Sequence, residues 1–154
     1  MSKSRNRRGF SLIELLIVIA IILIIVTVAL PKLNNATRFA HEAAAIKAIQ
    51  TIQTMQVQFN SQYGRFAASL TELGPPASGA ASAASADLID SNLAAGEKSG
   101  YKFTMTGNQS GYYISAVPVA YGNTGSRTFY SDQTMAIREN DGPEPATASS
   151  KEMK

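Results

Sequence analysis

The chain has 154 residues, with 14 Lys+Arg against 11 Asp+Glu for a formal charge of +3, no Cys, no Trp and a single His. That length holds one domain with an appendage and excludes a multi-domain enzyme. The lack of Cys removes disulfides, thiol catalysis and thiolate metal sites, and one His leaves no multi-His metal centre or His relay. A basic balance of this size first suggests an acidic partner such as nucleic acid or anionic lipid.

The charge is unevenly placed. Residues 1–9, MSKSRNRRG, hold Lys3, Arg5, Arg7 and Arg8. Residues 10–30, FSLIELLIVIAIILIIVTVAL, follow, and 18 of these 21 are apolar, all but Ser11, Glu14 and Thr27. At ~1.5 Å per residue they span about 31 Å, the thickness of a bilayer's hydrocarbon core. The run is too long for a strand and too uniform for one amphipathic face, so it is read as a lipid-spanning helix. The basic leader then stays on the cytoplasmic side. The run is about twice the length of a secretory signal's apolar region. Pro31-Lys32-Leu33 follows it in place of a small-residue cleavage site. Glu14 stands out, because a carboxylate in lipid costs several kcal/mol unless a cation partners it.

Gly9-Phe10-Ser11-Leu12-Ile13-Glu14-Leu15, after a short basic leader and before an apolar run, resembles the prepilin signal of type IV pilins and type II secretion pseudopilins. The resemblance covers roughly residues 5–35. It implies cleavage between Gly9 and Phe10 by a prepilin peptidase and N-methylation of Phe10. It also implies that Glu14 recruits the subunit into a filament by neutralising a neighbouring subunit's terminal amine. Pro31 matches a proline common at that distance in the family. Such a residue removes a helix hydrogen bond and kinks or loosens the helix. The partners implied are other copies of the chain in a helical homopolymer, the peptidase, an inner-membrane assembly platform, minor pilins or pseudopilins, and lipid before assembly. The precursor is expected in a bacterial inner membrane, and the product in a surface pilus or a periplasmic pseudopilus. Loss of residues 1–9 leaves 10 Lys+Arg against 11 Asp+Glu, a side-chain balance of −1. The basic character is thus a membrane-orientation signal, and no nucleic-acid partner is expected of the subunit.

Residues 31–63 read as an amphipathic helix that continues through Pro31 or restarts just after it. At 100° per residue, Ala45, Ala48, Ile49, Ile52, Met55, Phe59 and Tyr63 form one stripe suited to pack on a sheet. Phe39, Ile46 and Val57 fall on another side. Phe39 and Ile46 are therefore candidates for contacts between subunits. His41 and Glu42, adjacent and so on different faces, are read as solvated surface residues. Gly64 is a natural stop.

Residues 64–100 form a variable connection. Ser69 and Glu72 have capping-box spacing before Leu70 and Leu73. Residues 77–86, ASGAASAASA, are a low-complexity surface loop, and 87–95 form one short helix. Residues 101–139 alternate as three or four antiparallel strands, at 101–105, 112–120, 127–131 and 135–139, with Pro118 marking an edge or bulge. Residues 140–154 are a polar tail expected to be partly disordered.

The fold class expected is α+β, a long N-terminal helix packed on a small antiparallel head. Many type IV pilins close this region with a disulfide, which this chain lacks. Major pseudopilins often hold calcium in an acidic C-terminal loop, which makes Asp132 and Asp141, with Glu139 and Glu144, minor calcium candidates. Their spacing matches no fixed loop. The aromatics of the strands are assigned to packing, since the basic residues needed to hold single-stranded nucleic acid are sparse. No catalytic constellation is visible, so no enzymatic activity is expected. A filament subunit is the main reading, pilin or pseudopilin. An uncleaved membrane-anchored binding protein is the alternative from another class.

Overall fold

A computed structural model describes residues 9–153. The chain divides between Ala36 and Thr37 into two units, and the first helix, α1 (Leu12–Tyr63), contributes to both.

In the N-terminal unit the described residues are helical from Leu12 onward. Side chains from residue 9 to residue 30 are exposed, including the whole apolar run. Thr27 donates to the Ile24 carbonyl at 2.8 Å, so its hydroxyl is satisfied within the helix. The helix is long and apolar enough to cross a membrane. The backbone at position 31 is helical. The side chain of Pro31 lies outside the described residues, as do Lys3, Arg5, Arg7 and Arg8 of the leader.

The C-terminal unit pairs the rest of α1 with a six-stranded antiparallel sheet, an α+β, pilin-like arrangement. The strands are β1 (Glu97–Lys98), β2 (Tyr101–Gly107), β3 (Tyr112–Pro118), β4 (Arg127–Asp132), β5 (Ile137–Asp141) and β6 (Lys151–Glu152), each beside the next in chain order. The stripe read from the sequence is the packed face. Ala45, Ala48, Ile49, Ile52 and Phe59 are buried against Tyr101, Phe103, Ile114, Ala116 and Phe129, with Met55 and Tyr63 at the rim. Full burial of an Ile or Phe stabilises by about 1.5–3 kcal/mol, so the stripe anchors the unit without a disulfide. Gly64 ends α1 at φ 69°, its amide bonded to the Asn60 carbonyl at 2.8 Å.

Two short helices, α2 (Leu70–Leu73) and α3 (Ser91–Ala94), cover one end of the core with Leu70, Leu73 and Leu93. The capping box at Ser69 and Glu72 is not formed as its spacing suggests. Ser69 makes no side-chain cap, and Glu72 accepts from Ala68 N at 3.0 Å and Arg65 Nη1 at 2.7 Å. The low-complexity segment is mostly exposed up to the bridge between Ser82 and Ser85.

The sheet has two strands more than the sequence reading's upper figure. β1 was not anticipated because two residues carry no period. It is created by the Ser99-Gly100 turn, both residues with positive φ (51° and 74°), the geometry that suits a two-residue hairpin. At the other edge the polar tail is tied down. Its Lys151–Glu152 pairs with β5, Met153 N donates to the Ile137 carbonyl at 2.9 Å, and Thr128 donates to the Glu144 carbonyl at 2.7 Å. Backbone pairing, invisible to composition, overrides its polar character. Pro118 lies at a local edge near the end of its strand. It ends β3, opposite Tyr101 and beyond Ala116, the last residue of β3 paired with β4. A missing N–H costs nothing there. Met135 is not in a strand. It closes the 132–135 turn at φ 62°, and β5 starts two residues later.

Candidate processing and assembly site

Gly9 and Phe10 precede the first helical turn. Among the described residues, apart from its chain neighbour, nothing lies within 4 Å of a Cβ built on Gly9, and Phe10 is 88% exposed, so none of them shields the peptide bond between the two. Ser11 then caps α1. Glu14 Oε2 accepts the Ser11 amide at 2.8 Å, and Leu15 N donates to the Ser11 carbonyl at 3.3 Å. This is half of a capping box, formed from Ser-x-x-Glu at the start of the apolar run. The spacing Ser11 to Glu14 is legible in the sequence, but the sequence reading of Glu14, as a charge in lipid and an assembly residue, did not include a cap. The helix N-terminus supplies a partial positive charge worth about 0.3–1 kcal/mol to such a carboxylate. Glu14 therefore has a hydrogen-bond partner at the start of its own helix. Hydrolysis of the Gly9–Phe10 bond would put an ammonium group one residue ahead of the amide that Glu14 holds.

Residues 4–30 match the prokaryotic N-terminal methylation motif. The chain carries a prepilin-type signal. That signal marks the type IV pilins and pseudopilins, structural subunits rather than a known enzyme family. With the long apolar helix behind it, it fits a membrane-anchored precursor. No curated protein and no solved structure matches the chain.

The remaining candidates are scattered. Phe39 is 60% exposed, whereas Ile46 is partly buried against the core of its own unit, near Met135, Ile137 and Met153. Seven residues apart, the two share one side of α1 but do not share its exposure. Asp132 and Asp141 do not converge either. Asp132 pairs with Tyr113 at one end of β4 and Asp141 with Arg127 at the other. At ~3.3 Å per residue, the five steps from 127 to 132 separate them by about 16 Å, too far to share an ion. Glu139, the third candidate, is already paired with Arg127 and Lys151. Among the described residues, no three His, Asp or Glu side chains are grouped to hold a metal.

The reading of Glu42 as a solvated residue is overturned. Glu42 is 1% exposed. Its Oε1 accepts Ser126 N at 2.8 Å and Ser126 Oγ at 2.9 Å. Its Oε2 accepts Arg127 Nε at 3.0 Å and Nη2 at 2.8 Å. Arg127 Nη1 also reaches Glu139 at 2.7 Å, so one guanidinium joins α1, β4 and β5. Burial alone would raise the Glu42 pKa, but the Ser126 amide, Arg127 and the Ser126 hydroxyl together hold it below the ordinary carboxylate value. The same pair of carboxylates raises Arg127 against its own burial. His41 is also engaged, its Nδ1 at 2.8 Å from the Ser99 carbonyl. A signal was present. Glu42 and Gln56 each stand seven residues from Ile49, in phase with the core stripe, and a polar group there requires a partner. Gln56 has one in the Ala67 backbone, at 3.1 Å and 2.9 Å.

Proposed function

We propose that the chain is a non-enzymatic filament subunit of the type IV pilin class. It is inserted in the membrane as a precursor, cut between Gly9 and Phe10, methylated on Phe10 and polymerised through α1. The observation that carries the reading is the prepilin-type signal running into an apolar helix whose side chains nothing among the described residues covers. Such a surface needs lipid or protein around it. The leader's four cations orient the precursor, and their removal allows the helix to leave the bilayer lengthwise. Other copies of the chain then replace lipid, with the peptidase, an assembly platform and minor subunits as partners.

Glu14 has two roles in this account. It caps α1 within the subunit, and its charge recruits a neighbour's terminal amine. Glu14→Gln separates them, because Gln accepts the Ser11 amide but carries no charge. The variant should be cleaved and inserted normally yet leave the sheared-filament fraction empty. Wild-type amounts of filament from it would contradict the recruitment role.

A pseudopilin is the second reading. It is favoured by a head closed without a disulfide, as the Cys-free sequence requires. Surface fibres seen by electron microscopy select the pilus, and a periplasmic assembly that supports protein secretion selects the pseudopilus.

A further inference from the structure

The sheet face turned away from α1 carries a cleft that the N-terminal signal does not use. It has a volume of about 320 Å³ and lies at the end of β2, β3 and β4. Tyr113 and Tyr130 sit on its floor, their rings 6.2 Å apart and within 15° of parallel, with Tyr113 46% exposed. Around them stand Asn108, Asp132 and Gln133.

Two of these polar groups are fixed by local bonds that leave their other atom without a hydrogen bond among the described residues. Asn108 Oδ1 accepts Ser110 N at 2.8 Å and Gly111 N at 3.0 Å, which leaves Nδ2 to donate. Asp132 Oδ1 accepts Thr134 N at 2.9 Å and Thr134 Oγ1 at 2.6 Å, which leaves Oδ2 to accept. The cleft therefore holds a preset donor, a preset acceptor and two hydroxyl-bearing rings. No Lys or Arg lines it. Arg138 lies opposite Tyr130 and donates to the Ser150 carbonyl at 3.1 Å.

We propose that this cleft binds a neutral pyranose sugar. The tyrosine faces suit the C–H face of a sugar ring, and the fixed amide and carboxylate suit neighbouring hydroxyls. A carboxylate without a lining cation repels phosphate, which disfavours nucleic acid, whose binding combines stacking with a basic groove. The size lies at the small end of ligand pockets.

The test is amide chemical-shift titration of the full chain in phosphocholine micelles, free of sugar detergents, with lactose, N,N′-diacetylchitobiose and the decanucleotide dT10 as separate probes. One of the sugars should produce saturable shifts at Tyr113, Tyr130 and Gln133. Tyr113→Ala should weaken that binding about tenfold or more. Tyr113→Phe should retain most of it. Unchanged amide signals of Ser126 and Arg127 will show that each variant keeps its fold. No saturable shift with either sugar, shifts that persist in Tyr113→Ala, or binding of dT10 in place of sugar would overturn the proposal.

Discussion

Glu42→Ala should be the most damaging single change among the polar residues of α1. It removes the acceptor of four hydrogen bonds, at 2.8–3.0 Å, from a site 1% exposed. Ser126 loses its partner at both N–H and hydroxyl, and two N–H groups of Arg127 lose their shared acceptor, Glu42 Oε2. Breaking a buried ion pair from one side costs about 3–5 kcal/mol. Arg127 is 28% exposed on its side chain and keeps Glu139 at 2.7 Å, so water and the second carboxylate absorb part of that. A loss of about 3 kcal/mol is expected, a large share of the 5–15 kcal/mol typical of a domain. For a unit of this size it should lower Tm by about 10 °C or more. The assay is thermal and urea unfolding of the full chain in micelles, followed by near-ultraviolet circular dichroism of the tyrosines. A cycle with Arg127→Ala should show coupling of at least about 1.5 kcal/mol. Glu42→Ala costing under about 1 kcal/mol, or strict additivity with Arg127→Ala, would refute the reasoning. The pH dependence has a definite sign. Because folding lowers the Glu42 pKa, the unfolded state binds more protons in acid. The contribution is complete above the ordinary carboxylate range and is lost as pH falls through the folded-state value. Glu42→Ala should therefore flatten the acid limb of the stability profile.

Three further outcomes are expected. Tyr112→Phe should be neutral or stabilising by about 1 kcal/mol, read as a raised urea midpoint, because the Tyr112 hydroxyl is buried with no hydrogen-bond partner among the described residues. In alkali, burial holds Tyr112 up to about 12, so its contribution persists below pH 10 and fades as pH rises above it, a loss the Phe variant should escape. Gly107→Ala should destabilise by about 1–3 kcal/mol in the same melt, because its Cβ would meet the Ala67 carbonyl oxygen, which Gln56 holds in place. Chelation by EDTA should leave Tm unchanged, since Asp132 and Asp141 stand at opposite ends of β4.

Legibility in the sequence followed the periodic signals. The apolar run, the stripe from Ala45 to Tyr63, the stop at Gly64 and the strands expected at 101–105 and 112–120 all carry a repeat or a strong local preference, and the structure places each close to its expected position, the second strand ending at Pro118. What escaped depends on contacts distant in sequence. β6 exists because residues 151–152 find the open edge of β5, and β1 because a turn at Ser99-Gly100 folds two residues back. Glu42 was misread through its neighbour His41. Its phase with Ile49 was the better guide, but naming Arg127 as its partner, 85 residues away, required the fold. At the processing site the motif itself was fully legible, and the structure added the bond from Ser11 N to Glu14.

The central claim, a prepilin-type precursor converted into a filament subunit, is tested most directly by intact-mass and N-terminal fragment analysis of the chain from its native membranes. The account predicts a chain that begins at Phe10 and carries one methyl group on its terminal nitrogen. A chain that retains Met1 and the basic leader, in cells that have an active prepilin peptidase, would contradict it and leave an uncleaved membrane-anchored protein.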